Sequence, residues 1–194
     1  MLLRASFFLM AFVFISGCAH YTLMEPGTYS LDDVFSVETD TQWSSSKYAN
    51  GEMWTKNGIS LERIFFVEGI YDGTPLFAPA GMPSPATGQP RPPFRKDMNI
   101  VEIGELLTGS LEADQWYNVK ITTLDAKKIP SLSGGFKIQF EMANTDGLLF
   151  KGDAYGGMEN ERLYMLIFLA PKLYYYPTYV RHFEDIVASA KKLN

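Results

Sequence analysis

The sequence predicts an α+β fold in which an antiparallel sheet of about six strands carries two main helices packed on it. Three observations support this prediction. Short β-branched and aromatic runs are separated by turn residues, four such runs follow one another in the C-terminal half, and two segments of helical spacing flank those four. Because hairpins can join the runs, the sheet is expected to be antiparallel.

The composition is that of a folded protein. The 194 residues are 46% hydrophobic and 20% charged, with a net charge of -5. This balance excludes wholesale disorder. A polytopic membrane protein is also excluded, because only residues 1–16 form a long apolar run. The acidic balance provides no basic surface for a phosphate backbone, so we expect no nucleic-acid partner.

The N-terminus has the layout of a secretory signal. Arg4 precedes an apolar stretch over residues 5–15, which only Ser6 interrupts, and small residues follow it. A membrane-spanning helix is the alternative. About a dozen residues at about 1.5 Å each cover only about 18 Å, however, whereas the hydrocarbon core is about 30 Å thick. We therefore predict a cleaved signal peptide over residues 1–17.

The only cysteine of the chain follows this stretch directly. The segment Ile15-Ser16-Gly17-Cys18 resembles the lipobox of bacterial lipoproteins, where an aliphatic residue and two small residues precede the lipidated Cys. The resemblance implies a diacylglyceryl thioether on Cys18 and cleavage between Gly17 and Cys18. The alternative is a buried or free thiol that merely follows an apolar segment.

The same resemblance implies a location. A triacylated Cys18 stays in the membrane, because two or more acyl chains anchor a protein firmly. In Gram-negative lipoproteins an Asp directly after the lipidated Cys typically retains the protein in the inner membrane, and this chain has Ala19 there. We therefore expect a lipid-anchored protein of the bacterial cell envelope, and in a Gram-negative source the resemblance favours the periplasmic face of the outer membrane.

The first structural elements are a tether and a hairpin. Residues 18–30 are expected to form the lipidated Cys and a tether or first strand, ahead of a single domain over residues 31–194. A hairpin is predicted over residues 53–70, because the turn dipeptide Asn57-Gly58 separates two runs rich in β-branched and aromatic residues.

Residues 72–95 change composition sharply, with seven prolines and three glycines. Proline neither donates to a sheet nor continues a helix, so this segment is predicted to be a long loop. A lid or partner-binding segment in polyproline II conformation is one interpretation. A tolerated insertion is the other.

One helix, four consecutive strands and a second helix are predicted after the loop. A helix is predicted over residues 98–108, with Asp97 as N-cap and Gly109 as its end. Four strands follow, over residues 116–124, 135–142, 148–155 and 163–170. The last of them is apolar throughout, which is typical of a central strand covered on both faces. A final helix is predicted from Pro177.

This order of elements, together with the segment Asn57-Gly58-Ile59-Ser60-Leu61-Glu62-Arg63-Ile64, resembles the PsbP-like fold. That fold occurs in photosystem extrinsic subunits and in several bacterial lipoprotein families. The resemblance covers most of the chain after the signal peptide. Known members are largely non-enzymatic, so the resemblance implies a binding or assembly role.

Motifs for catalysis, cofactors or metals are not found. The sequence has no Gly-x-Ser-x-Gly, Cys-x-x-Cys or His-Glu-x-x-His and no phosphate-binding glycine loop. His182 is the histidine available to the folded domain, since His20 lies beside the lipidation site. For His182, a surface or helix-packing role is the alternative to catalysis. We therefore predict no catalytic, cofactor-binding or metal-binding residues.

Aromatic residues supply the candidate contacts. Tyr174, Tyr175 and Tyr176 form the most unusual local composition and are possible ligand or partner contacts. The alternative is that they pack the junction between the last strand and the last helix. We expect the three tryptophans to pack in the core, with ligand contact as the alternative. They are Trp43, Trp54 and Trp116.

The sequence therefore predicts a non-catalytic binding or assembly module, with an envelope protein or polymer as partner. Two alternatives remain open. A hydrolase of envelope polymers would need two carboxylates facing a cleft, and close acidic pairs in the sequence include Asp32 with Asp33, Glu38 with Asp40, and Glu159 with Glu161. A carrier of a small apolar ligand would need an apolar pocket between the sheet and the helices.

Overall fold

The computed structural model describes residues 21–31, 34–77, 90–127, 129 and 132–193, and the structural statements below refer to these residues. The predicted signal peptide and the lipidation site at Cys18 lie outside them, as does the middle of the proline-rich segment. No helix of the described part is both long and apolar enough to cross a membrane.

The described residues form eleven strands and two helices. The strands are β1 (Thr22–Met24), β2 (Gly27–Leu31), β3 (Phe35–Thr39), β4 (Trp43–Tyr48), β5 (Gly51–Thr55), β6 (Arg63–Ile70), β7 (Tyr117–Ala126), β8 (Ser133–Ala143), β9 (Leu149–Glu159), β10 (Arg162–Pro171) and β11 (Lys191–Lys192). The helices are α1 (Ile100–Ala113) and α2 (Tyr175–Ser189).

The strands form two antiparallel sheets. Within the described residues the main sheet has eight strands in the order β1-β4-β5-β6-β10-β9-β8-β7, and the second has three in the order β11-β3-β2. The predicted α+β class, with two helices on an antiparallel sheet, is confirmed. The prediction of about six strands is wrong.

Most of the missed strands lie before residue 50, where the strand signals are weak. β4 reads Trp-Ser-Ser-Ser-Lys-Tyr, and three consecutive serines give no alternation of apolar and polar residues. Tertiary packing holds this strand in place. Trp43 is buried, and its indole Nε1 donates a hydrogen bond to Thr39 Oγ1 at 2.9 Å.

The two helices cover opposite faces of the main sheet, and alternate side chains of β10 reveal this. Met165 and Ile167 pack in the core beneath α1, whereas Tyr164 and Phe168 pack in the core beneath α2. The second sheet lies on the α2 face. β10 is therefore covered on both faces, as the apolar run over residues 163–170 predicts.

The predicted hairpin is confirmed as β5 and β6, but its connection is longer than a two-residue turn. Residues 56–62 join the strands, and Glu62 is fully buried among them. Its carboxylate accepts hydrogen bonds from the backbone N–H groups of Lys56 at 2.7 Å and Asn57 at 2.6 Å. The charged acceptor therefore closes a wide loop that the Asn-Gly signal alone does not predict.

α1 begins and ends later than predicted. Asn99, and not Asp97, is the N-cap, because its side chain accepts from two backbone N–H groups of the first turn. Glu102 completes a capping box by accepting from the Asn99 backbone N–H at 2.8 Å. Gly109 lies inside the helix, where a Cβ would approach Pro92 Cγ to 3.2 Å. This glycine therefore admits a neighbouring proline and does not end the helix.

The four strands predicted in the C-terminal half are confirmed as β7 to β10. β9 and β10 are joined at Asn160 and Glu161, whose φ angles are 51° and 59°, as a two-residue hairpin requires. Gly156 and Gly157 lie within β9. A Cβ on Gly156 would come within 2.5 Å of the Tyr164 carbonyl oxygen, so glycine here permits close strand packing.

α2 includes Pro177 in its first turn, as predicted. Phe183, Ile186 and Val187 are buried on its sheet-facing side. Its N-cap residue, Tyr174, makes no side-chain capping hydrogen bond. Packing of the apolar face therefore holds the helix where capping does not.

Two further segments join the fold. Residues 21–30, assigned from sequence to a tether or first strand, contribute β1 and most of β2. The described ends of the proline-rich segment bury Leu76 and Phe94, and an isolated bridge joins Pro75 to Pro93. Both ends of this segment are therefore fixed to the α1-side core.

Candidate binding cleft

A cleft of about 360 Å³ opens on the α1 face of the main sheet, above β4, β5 and β6. This volume is in the range of small-molecule sites. The apolar part of the lining consists of Met53, Phe65, Phe77, Leu111, Trp116 and Leu169. The cleft therefore has the position that an apolar-ligand carrier requires, between a helix and the sheet.

The cleft exists because α1 covers only the other half of this face. α1 packs against β7, and Gly104 brings the two close, since a Cβ at this position would lie 2.8 Å from Ile121 Cδ1. Leu111 near the end of α1, Trp116 after it and Phe77 from the loop bound the space that is left. Close packing on one side of the helix thus accompanies an opening on the other.

Arg63 places a positive charge in this lining. Its Nε is buried and has no hydrogen-bond partner among the described residues. The guanidinium carbon lies 5.3 Å from the Trp116 ring centroid and 5.9 Å from that of Phe65, so cation–π interactions stabilise the charge. Burial lowers the pKa of Arg63 to about 10, and the group therefore remains cationic at neutral pH.

The acidic residue of the lining has a different partner. Asp114 follows α1 directly, and its Oδ1 accepts from Arg91 Nη2 at 2.6 Å and Arg91 Nε at 2.9 Å. Both side chains are mostly shielded from solvent. Asp114 is therefore neutralised without Arg63.

The β4 side of the cleft is polar but largely occupied. The Tyr48 hydroxyl donates to the Phe66 carbonyl oxygen at 2.9 Å, and burial raises the pKa of Tyr48 well above its usual value. Tyr48 therefore stays neutral at physiological pH. Ser46, two residues earlier on the same strand, also lines the cleft.

A second polar cluster lies beneath α2, on the opposite face. The fully buried carboxylate of Asp153 accepts from the Tyr176 hydroxyl at 2.6 Å and from Gln139 Nε2 at 2.7 Å. Burial and the hydrogen bond to Asp153 raise the pKa of Tyr176. Because each carboxylate oxygen has its own donor, this cluster is typical of a structural network.

The three predicted tyrosines do not share one surface. Tyr176 is buried against Asp153, whereas Tyr174 is 67% exposed. Tyr175 packs edge-on against Tyr174, with ring centroids 5.1 Å apart, and stacks on Tyr179 at 6.4 Å. Contact with a ligand or partner therefore stays a prediction for the accessible rings.

The tryptophans divide between the two faces of the sheet. Trp43 and Trp54 are buried in the core beneath α2. Trp116 is partly buried and lines the cleft. One tryptophan therefore reports on the cleft and two report on the filled core.

The remaining sequence candidates lie on the surface. His182 Nδ1 is 3.6 Å from Asp40 Oδ1. The other described members of the close acidic pairs form ion pairs with lysines, namely Glu38 with Lys191, Glu159 with Lys192, and Glu161 with Lys96. Asp32 and Asp33 lie outside the described residues. In the described part no group of three or more His, Cys, Asp or Glu side chains could hold a metal ion.

The sequence pattern does not single out Arg63, although it contains a signal. Arg63, Phe65 and Val67 follow strand spacing, so the charge occupies a core-facing position. Charged residues are rarely buried without a partner. The rest of the cleft comes from distant segments, such as Trp116, which sequence spacing cannot bring together.

The fold of this chain is similar to that of a solved structure. No protein-family model matches this chain, and no curated protein sequence matches it. Among solved structures, the chain is similar to the solution structure of cyanobacterial PsbP (CyanoP) from Synechocystis sp. PCC 6803, with a TM-score of 0.55 and 9% sequence identity. The match covers 90% of this chain and 93% of that chain. At this identity the likeness concerns the fold alone, and the chain has a PsbP-like fold.

Proposed function

We propose that this chain is a non-catalytic binding module, anchored by lipid in the bacterial cell envelope, whose cleft holds a small and mostly apolar ligand. The observation that carries the proposal is the cleft of about 360 Å³ with six apolar side chains in its lining. Protein interiors are otherwise packed to crystal-like density. An opening of this size beside the filled core is therefore suited to binding.

The charges of the cleft favour binding over hydrolysis. A pair of catalytic carboxylates needs two acidic groups that face the same substrate. Asp114 is the acidic member of the described lining, and Arg91 already binds it. We therefore place the hydrolase alternative behind a ligand carrier.

The anchor is proposed from the sequence, since Cys18 follows the apolar segment in a lipobox pattern. In a Gram-negative host, Cys18→Ser is expected to leave a full-length precursor, and the wild-type protein is expected to begin with a triacylated Cys18 in mass spectrometry. Efficient maturation of the variant would contradict the anchor. Ala19→Asp is expected to move the mature protein to the inner membrane, as membrane fractionation would show.

Occupancy of the cleft can be tested with an uncharged probe. We expect 2-naphthamide to bind the full chain held in lipid nanodiscs, as measured by equilibrium dialysis with empty nanodiscs as the blank. Ser46→Phe fills the cleft from β4 and is expected to reduce binding at least tenfold. Ser44→Phe is the matched control, because Ser44 lies on the same face of β4 outside the described lining.

The two serine variants separate a specific site from general hydrophobic adsorption. Retained binding in Ser44→Phe and lost binding in Ser46→Phe support a site beside Ser46, which lines the cleft and also the neighbouring opening at β1. Equal binding in both variants would place the probe elsewhere and reject the proposal. A wild-type protein that binds no 2-naphthamide would reject it as well.

A further inference from the structure

The charge balance of the cleft points to a particular class of ligand, an inference that rests on the proposed function. Arg63 has a buried Nε without a hydrogen-bond partner among the described residues. Arg63 is partly buried, and a cation shielded from water with no anion beside it is costly, because the lost hydration is not replaced by a counter-charge. The aromatic rings of Phe65 and Trp116 offset part of that cost.

The neighbouring groups leave the charge of Arg63 unneutralised. Asp114, the carboxylate of the described lining, is held by Arg91 at 2.6 Å. Lys47 adds another positive charge to the lining, and the Tyr48 hydroxyl already donates to Phe66. The described lining thus combines two cations with one neutralised acid.

We propose that the natural ligand of this cleft is an apolar molecule carrying one oxyanion group, such as a carboxylate, that binds the Arg63 guanidinium. The planar guanidinium donates through a fork of N–H groups that matches a carboxylate or phosphate. Met53, Phe65 and Leu169 then contact the apolar body. The ligand supplies the counter-charge that the described part of the protein lacks.

A matched pair of probes tests this inference. 2-Naphthoate and 2-naphthamide share the same ring body, but only the first carries a negative charge at neutral pH. We expect the wild-type full chain in nanodiscs to bind 2-naphthoate more tightly. Arg63→Gln is expected to weaken 2-naphthoate binding about tenfold or more, and to weaken 2-naphthamide binding by a clearly smaller factor.

Two further variants control for charge and geometry. Arg181→Gln removes an exposed arginine of α2, far from the lining, and is expected to leave both affinities unchanged. Arg63→Lys keeps the charge without the fork, so it is expected to retain part of the preference for 2-naphthoate. Equal 2-naphthoate affinity in wild type and Arg63→Gln would overturn the inference, while binding of 2-naphthamide would leave the proposed function intact.

The wild-type protein provides a test that does not depend on a variant that folds. At pH 8 the guanidinium is fully charged, so we expect the wild-type protein to bind 2-naphthoate more tightly than 2-naphthamide. Equal affinities of the two probes would overturn the inference, and failure of both probes to bind at pH 8 would overturn the proposed function itself.

Discussion

The two faces of the main sheet are closed to different degrees. On the α2 face, a helix and the second sheet together cover a core of fully buried aromatic side chains, among them Trp54, Phe168 and Phe183. On the α1 face, one helix covers the β7 side and leaves a cleft above β4, β5 and β6. The same sheet therefore carries a core of buried aromatic side chains beneath α2 and a cleft beside α1, while another opening of about 500 Å³ lies at its β1 edge, next to Met24 and Tyr29 of the α2-side core.

The polar groups follow this division in part, since Trp54 Nε1 on the filled face is also buried without a hydrogen-bond partner among the described residues. Asp153, on the filled face, has a donor for each carboxylate oxygen, whereas Arg63, on the open face, has a buried nitrogen without a partner among the described residues. A satisfied polar group specifies the fold. An unsatisfied one beside a cavity is suited to a ligand. We therefore expect the α2 face to contribute most to stability and the α1 face to bind the ligand.

The largest expected effect is on stability at the filled face. Phe168→Ala removes a fully buried ring that stacks on Tyr176 and Phe183, and should lower the free energy of unfolding by about 3–5 kcal/mol. Phe65→Ala, at the cleft, removes a partly exposed ring and should cost about 1–2 kcal/mol. Urea unfolding measures both free energies, and equal losses would show that the two faces do not differ in their contribution to stability.

The hydrogen bond beneath α2 should matter next. Tyr176→Phe keeps the ring and removes the donor to Asp153, so the free energy of unfolding should fall by about 1–3 kcal/mol. Tyr174→Phe, two residues earlier at an exposed position, should change it by less than about 0.5 kcal/mol. A similar loss in both variants would show that the buried carboxylate does not depend on Tyr176.

Alkaline pH should expose the same hydrogen bond. Because burial raises the pKa of Tyr176 in the folded state, the unfolded chain ionises first, near pH 10. The stabilising contribution is therefore complete below pH 10 and is lost as the pH rises above it. Between pH 9 and 11 the free energy of unfolding should fall by up to about 1.4 kcal/mol less in Tyr176→Phe than in wild type, as urea unfolding would show. Parallel curves for the two proteins would contradict this assignment.

The smallest effect on stability should come from filling the cleft. Ser46→Phe places a ring in existing space, so the free energy of unfolding should change by less than about 1 kcal/mol although probe binding is lost. Urea unfolding of the same preparation used for dialysis measures this. A loss above about 3 kcal/mol would indicate an overpacked core and not a cleft.

Much of the fold could be predicted because the relevant signals are local. β8 alternates apolar and polar residues, β10 is apolar throughout, and Pro177 suits the start of α2. The predicted start of α1 was two residues too early, because Asn99 with Glu102 forms the capping box that Asp97 does not. These elements depend on neighbours within a few residues.

The strand count and the cleft depend on distant contacts. β4 has weak strand preference and is held by the packing of Trp43. The environment of Arg63 combines β6 with Trp116, which lies 53 residues later in the chain. Periodicity indicates which face of the sheet a residue occupies, but not which residues pack against it. The position of the Arg63 charge could therefore be predicted from the sequence, whereas its lack of a hydrogen-bond partner could not.

Fluorine NMR with 5-fluorotryptophan can distinguish a ligand on the α1 face from one elsewhere, because the three tryptophans divide between the two faces of the sheet. In the full chain held in nanodiscs, 2-naphthoate should shift the Trp116 signal saturably and leave those of Trp43 and Trp54 in place, with Trp116→Phe providing the assignment. A Trp116 signal that does not move, or equal movement of all three signals, would contradict a ligand site on the open face.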